Sequence, residues 1–185
     1  MDVTTGLAVM SGVALAAACG LRAFLPVLVV GVAARFGWIA LGPSYAWLHS
    51  DPALIALAVA AVLEIAGDKI PVVDHALDVA GSVLRPIAAA VAMLGVLPHL
   101  PGPVAALLAI ASGLGAFGVH ALKAKTRIGS SALTLGHANP FLSVAEDGAT
   151  LTISAAAVVV PAIAFAFIVL LLWLSVRRRM TTRAG

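Results

Sequence analysis

The chain has 185 residues, of which 62% are apolar and 10% charged, and its formal net charge is +3. Soluble domains average about 25% charged residues, so the composition excludes an ordinary water-soluble domain and points to an all-α, polytopic transmembrane helical bundle. Four of the eleven basic residues, Arg177, Arg178, Arg179 and Arg183, fall in the last nine positions with no aromatics interleaved, which argues against nucleic acid as a partner and leaves the lipid bilayer as the evident one.

The length suits a single transmembrane domain over residues 1–176, followed by a basic tail at 177–185. A span needs about 20 predominantly apolar residues. Val3 to Leu21 carries no charge and gives the first, and the N-terminus lacks the basic region of a signal peptide, so this run reads as retained. The single cysteine, Cys19, lies within it and reads as a small buried hydrophobe. Arg22 interrupts the run, which resumes from Ala23 to Ala34 as a broken first helix or a re-entrant half-helix. Trp38, Tyr45 and Trp47 follow and mark a headgroup interface.

Pro52 to Asp68 reads as the second span, with proline at the first turn, and Val79 to Leu97 as the third, interrupted at Arg85-Pro86. After the turn PHLPGP, Val104 to Leu122 is the fourth; a polar section from Lys123 to Gly148 follows. Ala149 to Val176 closes the chain as the fifth, kinked at Pro161. With five spans, the basic tail and the segment KAKTR fall on opposite faces, which conflicts with the positive-inside tendency. The conflict goes if the section around Asn139-Pro140 crosses or dips into the membrane, or if one basic cluster serves a site. LAAACGLRAF (15–24) and LAIASGLGAF (108–117) match at seven of ten positions, so an internal repeat is a candidate, and with an odd number of spans in the repeating unit its halves would be inverted.

The charges are concentrated. Glu64 and Asp68 share a helix face and Pro71 prevents smooth continuation; Asp74, Asp78 and Arg85 then recur at helical spacing, with Lys69 at the break. His120, Lys123 and Arg127 form a second polar face, and Asn139, Glu146 and Asp147 a third. Ionisable side chains in a span cost about 2.5–3.5 kcal/mol each at the helix centre, so such residues face the bundle interior and pair. Complementary faces invite ion pairs between helices. The remaining histidines, 49, 75, 99 and 137, are scattered over loops and read as solvated surface.

GLRAFLP (20–26), the series E-x3-D-K-x-P-x2-D-x3-D (64–78) followed by Arg85-Pro86, the H-x2-K-x3-R spacing (120–127) and NP-x2-S-x2-ED (139–147) together resemble a bacterial membrane-protein family, domain of unknown function 4126. The match runs in order over nearly the whole chain, departing where Ala89 stands in place of an expected glycine. The resemblance implies a small multi-pass protein of the bacterial cytoplasmic membrane and no particular activity.

Three functions suit these residues. The first is a transporter or permease-like bundle for a small ion or solute. In it Glu64 and Asp68 bind a cation or proton, and Arg85, Lys123 and Arg127 bind an anionic group or act as counter-ions. The second is a membrane enzyme acting on a lipid or phosphorylated substrate through a divalent cation held by Asp68, Asp74 and Asp78; no zinc spacing is present. The third is a non-catalytic scaffold, its charges locking helices together. A homo-oligomer is compatible with each.

Overall fold

The computed structural model describes residues 3–97, 100–134 and 137–181. Among the described residues the only secondary structure is helical: α1 (Val3–Leu21), α2 (Phe24–Arg35), a 3-10 helix (Pro43–His49), α3 (Asp51–Gly67), α4 (Pro71–Gly95), α5 (Gly102–Thr134), α6 (Asn139–Val159) and α7 (Pro161–Thr181). Four of these, α1, α4 from Ala76, α5 and α6, are long and apolar enough to cross a membrane. A fifth span results if the 3-10 helix and α3, bent by 66° to one another, are counted as one. The protein is therefore a multi-pass membrane bundle.

α1 is the centre of the bundle and packs against α4, α5, α6 and α7. Its Ala14, Leu15, Ala16, Ala18 and Cys19 are buried, and these small side chains let the neighbours close in. Gly20 shows how closely: a Cβ there would lie 2.5 Å from the Val119 side chain and 2.7 Å from the Ala116 carbonyl oxygen of α5. The large apolar residues are turned outward instead. Ile55, Val59 and Val62 on α3 and Leu107, Ile110, Leu114 and Phe117 on α5 are exposed, the surface a lipid-facing bundle presents.

Contacts at both ends fix the helix directions. Gly12 of α1 faces Met93 of α4 and Val96 just after it, and Thr4 and Ala8 share a cavity with Leu100, Val158 and Pro161. At the other end, Lys123 reaches the Leu21 carbonyl and Arg22 reaches Ser143 and Asp147. Hence α5 runs parallel to α1, and α4 and α6 run antiparallel. The two matching stretches lie side by side in the same direction, because the short α2 adds a pass between them; an inverted pair would run oppositely.

Several boundaries differ from the sequence expectation. The third span is not interrupted at Arg85-Pro86: α4 continues through Pro86. A missing backbone donor is tolerable where packing holds the helix, and the Pro86 carbonyl oxygen sits 3.3 Å from where a Cβ on Gly113 would be. The polar section after Leu122 is largely helical, since its charges recur every three or four residues and bury one face of α5 as far as Arg127. The last span is not one kinked helix. The chain breaks at Val160 (φ −139°, ψ 69°), and both α6 and α7 pack on α1. A helix continuing straight on from α6 would run past the start of α1, so α7 turns back along it. Arg177 and Lys123 then share one end of the bundle, with α6 as the crossing around Asn139-Pro140 that removes the conflict between the two basic clusters.

Candidate functional site

The site is built where the first helix breaks. α1 stops at Leu21 and α2 restarts at Phe24, and the restart leaves backbone N–H groups without helical acceptors. Glu64, in the last turn of α3, supplies them: Ala23 N–H donates to Oε1 at 2.9 Å and Phe24 N–H to Oε2 at 3.2 Å. A carboxylate here also meets the positive end of the α2 dipole. Glu64 is thus the anionic cap of α2, at the point where the chain leaves α1.

Asp68, one turn further on, is the hub. Its Oδ2 accepts from Arg22 Nη1, from Arg127 Nη2 at 2.9 Å and from Lys123 Nζ at 3.5 Å, and its side chain is fully buried. Lys123 and Arg127 are also bound to Glu146 Oε2, at 3.1 and 3.0 Å. Arg22, also wholly buried, donates from Nη2 to Ser143 Oγ at 3.0 Å and pairs with Asp147 Oδ1 at 2.6 Å. Lys123 additionally donates to the Leu21 carbonyl at 3.3 Å, a cation at the negative end of α1. The end of α1 and a face of α5 therefore meet the end of α3 on one carboxylate, and α6 joins them through Ser143, Glu146 and Asp147 on the same cations.

A smaller group lies beside it on α4. Arg85 Nη1 donates to His120 Nδ1, so that ring nitrogen is the unprotonated acceptor while the bond is made. Arg85 Nη2 stands 3.9 Å from Glu64 Oε1 and 3.8 Å from Asp78 Oδ1. The two groups join through Glu64. Arg22, Arg85, Lys123 and Arg127 then face Glu64, Asp68, Asp78, Glu146 and Asp147, four cations against five carboxylates.

Asp68 lies between helices, outside the spans. Burial pushes its carboxyl up, but Lys123, then Arg22 and Arg127, together with the Arg22 hydrogen bond, outweigh burial and hold it below the usual carboxylate range. It remains an anion at neutral pH.

Most of the residues singled out from sequence converge here; two do not. Lys69 is exposed and donates to the Ile65 carbonyl at 2.9 Å, capping its own helix. Asn139 pairs with Ser131 Oγ at 2.9 Å, away from the hub. The Asp74 side chain lies outside the described residues. Of the metal expectation at Asp68, Asp74 and Asp78, the structure describes the side chains of Asp68 and Asp78 only. Asp68 is surrounded by cations and Asp78 belongs to Arg85; among the described residues no three His, Cys, Asp or Glu side chains gather to hold an ion. Sequence reasoning did not single out the backbone donors of Ala23 and Phe24 or the buried hydroxyls of Thr150 and Ser154. Spacing could have found the hydroxyls, since Ser143, Thr150 and Ser154 lie seven and four residues apart on α6.

Comparison with known proteins matches residues 9–180 to the family described as Domain of unknown function (DUF4126). The chain belongs to that family. No curated protein and no solved structure matches it.

Proposed function

We propose that this family member is a permease-like bundle of the bacterial cytoplasmic membrane that moves a small anion together with a proton. The observation that carries the reading is the shared Oδ2 of Asp68, where Arg22 of the broken first helix meets Lys123 and Arg127 of α5. An incoming carboxylate or phosphate competes with Asp68 for those three cations. As the cations turn to the solute, they stop holding the Asp68 proton affinity down, and the freed carboxylate takes up a proton. By linkage, the proton in turn favours the solute. Paired ionisable residues inside the bundle, beside a helix N-terminus, are the parts from which transporter sites are made.

The test is flux in liposomes. Purified protein should accelerate uptake of a small carboxylate or of inorganic phosphate along with protons, and Asp68→Asn should abolish it in protein that still purifies as a folded species. Wild-type liposomes that take up neither faster than protein-free ones would sink the reading.

One observation favours a scaffold as the second reading: each of the four cations lies within 4.0 Å of a carboxylate, so the network is electrically closed. If Asp68→Asn lowers thermal stability and no flux of any kind is found, the charges serve to lock the helices. The metal-enzyme alternative has no comparable support, because two of the carboxylates it needs, Asp68 and Asp78, are engaged by arginines and a lysine.

A further inference from the structure

The bundle has a second concave feature, at the end opposite the charged hub, mainly apolar but with the hydroxyls of Thr4, Thr5 and Ser11 in its wall. A cavity of about 410 Å³ lies between Thr4, Ala8 and Ser11 of α1, Trp38 after α2, Val96 and Leu97 after α4, and Val158 and Pro161 at the α6–α7 break. Trp38 is exposed, which places this mouth near the headgroups. Cavity and hub lie at opposite ends of the same pair of helices, α1 and α6.

Between them α6 carries a polar stripe. Ser143, Asp147, Thr150, Ser154 and Val158 recur at three- and four-residue steps and so share one face. The stripe touches α1 at both ends, through Ser143 and Asp147 on Arg22 and through Val158 in the cavity beside Thr4 and Ser11. Ser143, Thr150 and Ser154 are fully buried, and Ser11 nearly so. Their partners differ. Ser143 Oγ accepts from Arg22, and Thr150 Oγ1 donates back to the Glu146 carbonyl at 2.7 Å. Among the described residues Ser154 Oγ has no hydrogen-bond partner. A buried hydroxyl left unpaired costs about 1–3 kcal/mol, and a mid-helix serine normally relieves this by bonding its own preceding turn. Ser154 does not. It lies one helical turn from Val158, about 6 Å along the axis, and so points to water entering from the cavity.

We propose that the α1–α6 seam is a hydrated path by which protons reach Asp147 and the Arg22 pair from the cavity, with Ser11, Ser154, Thr150 and Ser143 as its hydroxyl steps. The path is chemically suited to protons, not to a solute: its hydroxyls are single, and the buried Ala14 and Ala18 follow Ser11, and Ala157 follows Ser154, at helical spacing. It supplies the proton side of the permease reading and rests on that reading.

The test reads hydration and conduction separately. In a Cys19→Ala background, Ser154→Cys, Ser11→Cys and Leu151→Cys are reconstituted, treated with silver ion, unfolded in detergent and titrated with a maleimide. Leu151 lies on the same helix with its side chain 52% exposed, towards lipid. Silver should protect the thiols at 154 and 11 roughly tenfold faster than the thiol at 151, because it reaches a thiolate only through water. Equal rates at the three positions overturn the path. Proton influx is then compared in wild type and Ser154→Val, where a loss of roughly tenfold matches the cost of one missing hydroxyl partner. Wild-type influx that survives Ser154→Val overturns the path and leaves the permease reading standing. Silver protection without any wild-type flux overturns the conducting role and the permease reading together.

Discussion

Asp68→Asn removes one charge from the point where three cations converge, and its cost can be worked from the partners that remain. Removing one member of a buried ion pair costs about 3–5 kcal/mol, because the other charge is left desolvated. Here the remaining cations are not abandoned: Lys123 and Arg127 keep Glu146 at 3.1 and 3.0 Å, and Arg22 keeps Asp147 at 2.6 Å. An asparagine oxygen also accepts one hydrogen bond. The expected loss is therefore at the lower end, about 3 kcal/mol. Reversible unfolding in mixed micelles, with the midpoint followed by circular dichroism, measures it. The pH dependence gives a second reading of the same carboxylate. Its folded pKa lies below the unfolded one, because Lys123, Arg22 and Arg127 outweigh burial. Its stabilisation is then complete above the unfolded value, about 3.9, and disappears as pH falls through the lower folded value. Wild type should lose its advantage over Asp68→Asn across that acid window. A difference below about 1 kcal/mol at neutral pH, the range of exposed pairs, would refute the hub.

Other outcomes follow from the same geometry. Gly20→Val places a branched side chain where a Cβ already meets Val119 at 2.5 Å, so it should destabilise by about 1–3 kcal/mol; the same unfolding assay reads it, and a neutral effect means α1 and α5 are not so close. Glu64→Gln keeps one acceptor for the α2 N-terminus but loses the charge facing Arg85 and the helix dipole. A loss of about 1–3 kcal/mol is expected, whereas unchanged stability removes the capping role. With Lys123 and Arg177 at one end, the positive-inside tendency makes the hub end cytoplasmic. A cysteine replacing Arg177 should react with an impermeant maleimide only after the cytoplasmic face is opened; labelling of intact cells reverses the orientation.

The sequence made the helices and the membrane class legible because hydropathy decides both, and it made the polar faces legible because charge is conspicuous in an apolar background. Glu64, Asp68, Lys123, Arg127, Glu146 and Asp147 stand out for that reason. Which of them pair was not legible, since Arg22 meets Asp68 across 46 positions and Ser143 across 121, and helical spacing carries no information about packing at that distance. The role of Glu64 was hidden by the backbone: its acceptors serve Ala23 and Phe24 N–H groups, which no side-chain pattern announces. Pro86 and Pro161 show the same limit from the other side. Both look like breaks, yet α4 passes through Pro86 while the chain does break at Val160. Packing around each proline decides between them. Lys69 has the right residue type in the right segment and still faces out, because the end of α3 turns it away from the face that Glu64 and Asp68 share.

Proton uptake on anion binding tests the coupling at Asp68 most directly. Phosphate or a small carboxylate is titrated calorimetrically into purified wild type in two buffers of different ionisation enthalpy, with Asp68→Asn alongside. Reciprocal coupling requires net uptake approaching about one proton per anion bound in wild type and none in Asp68→Asn. Anion binding with equal proton uptake in both proteins, or with none in wild type, contradicts it.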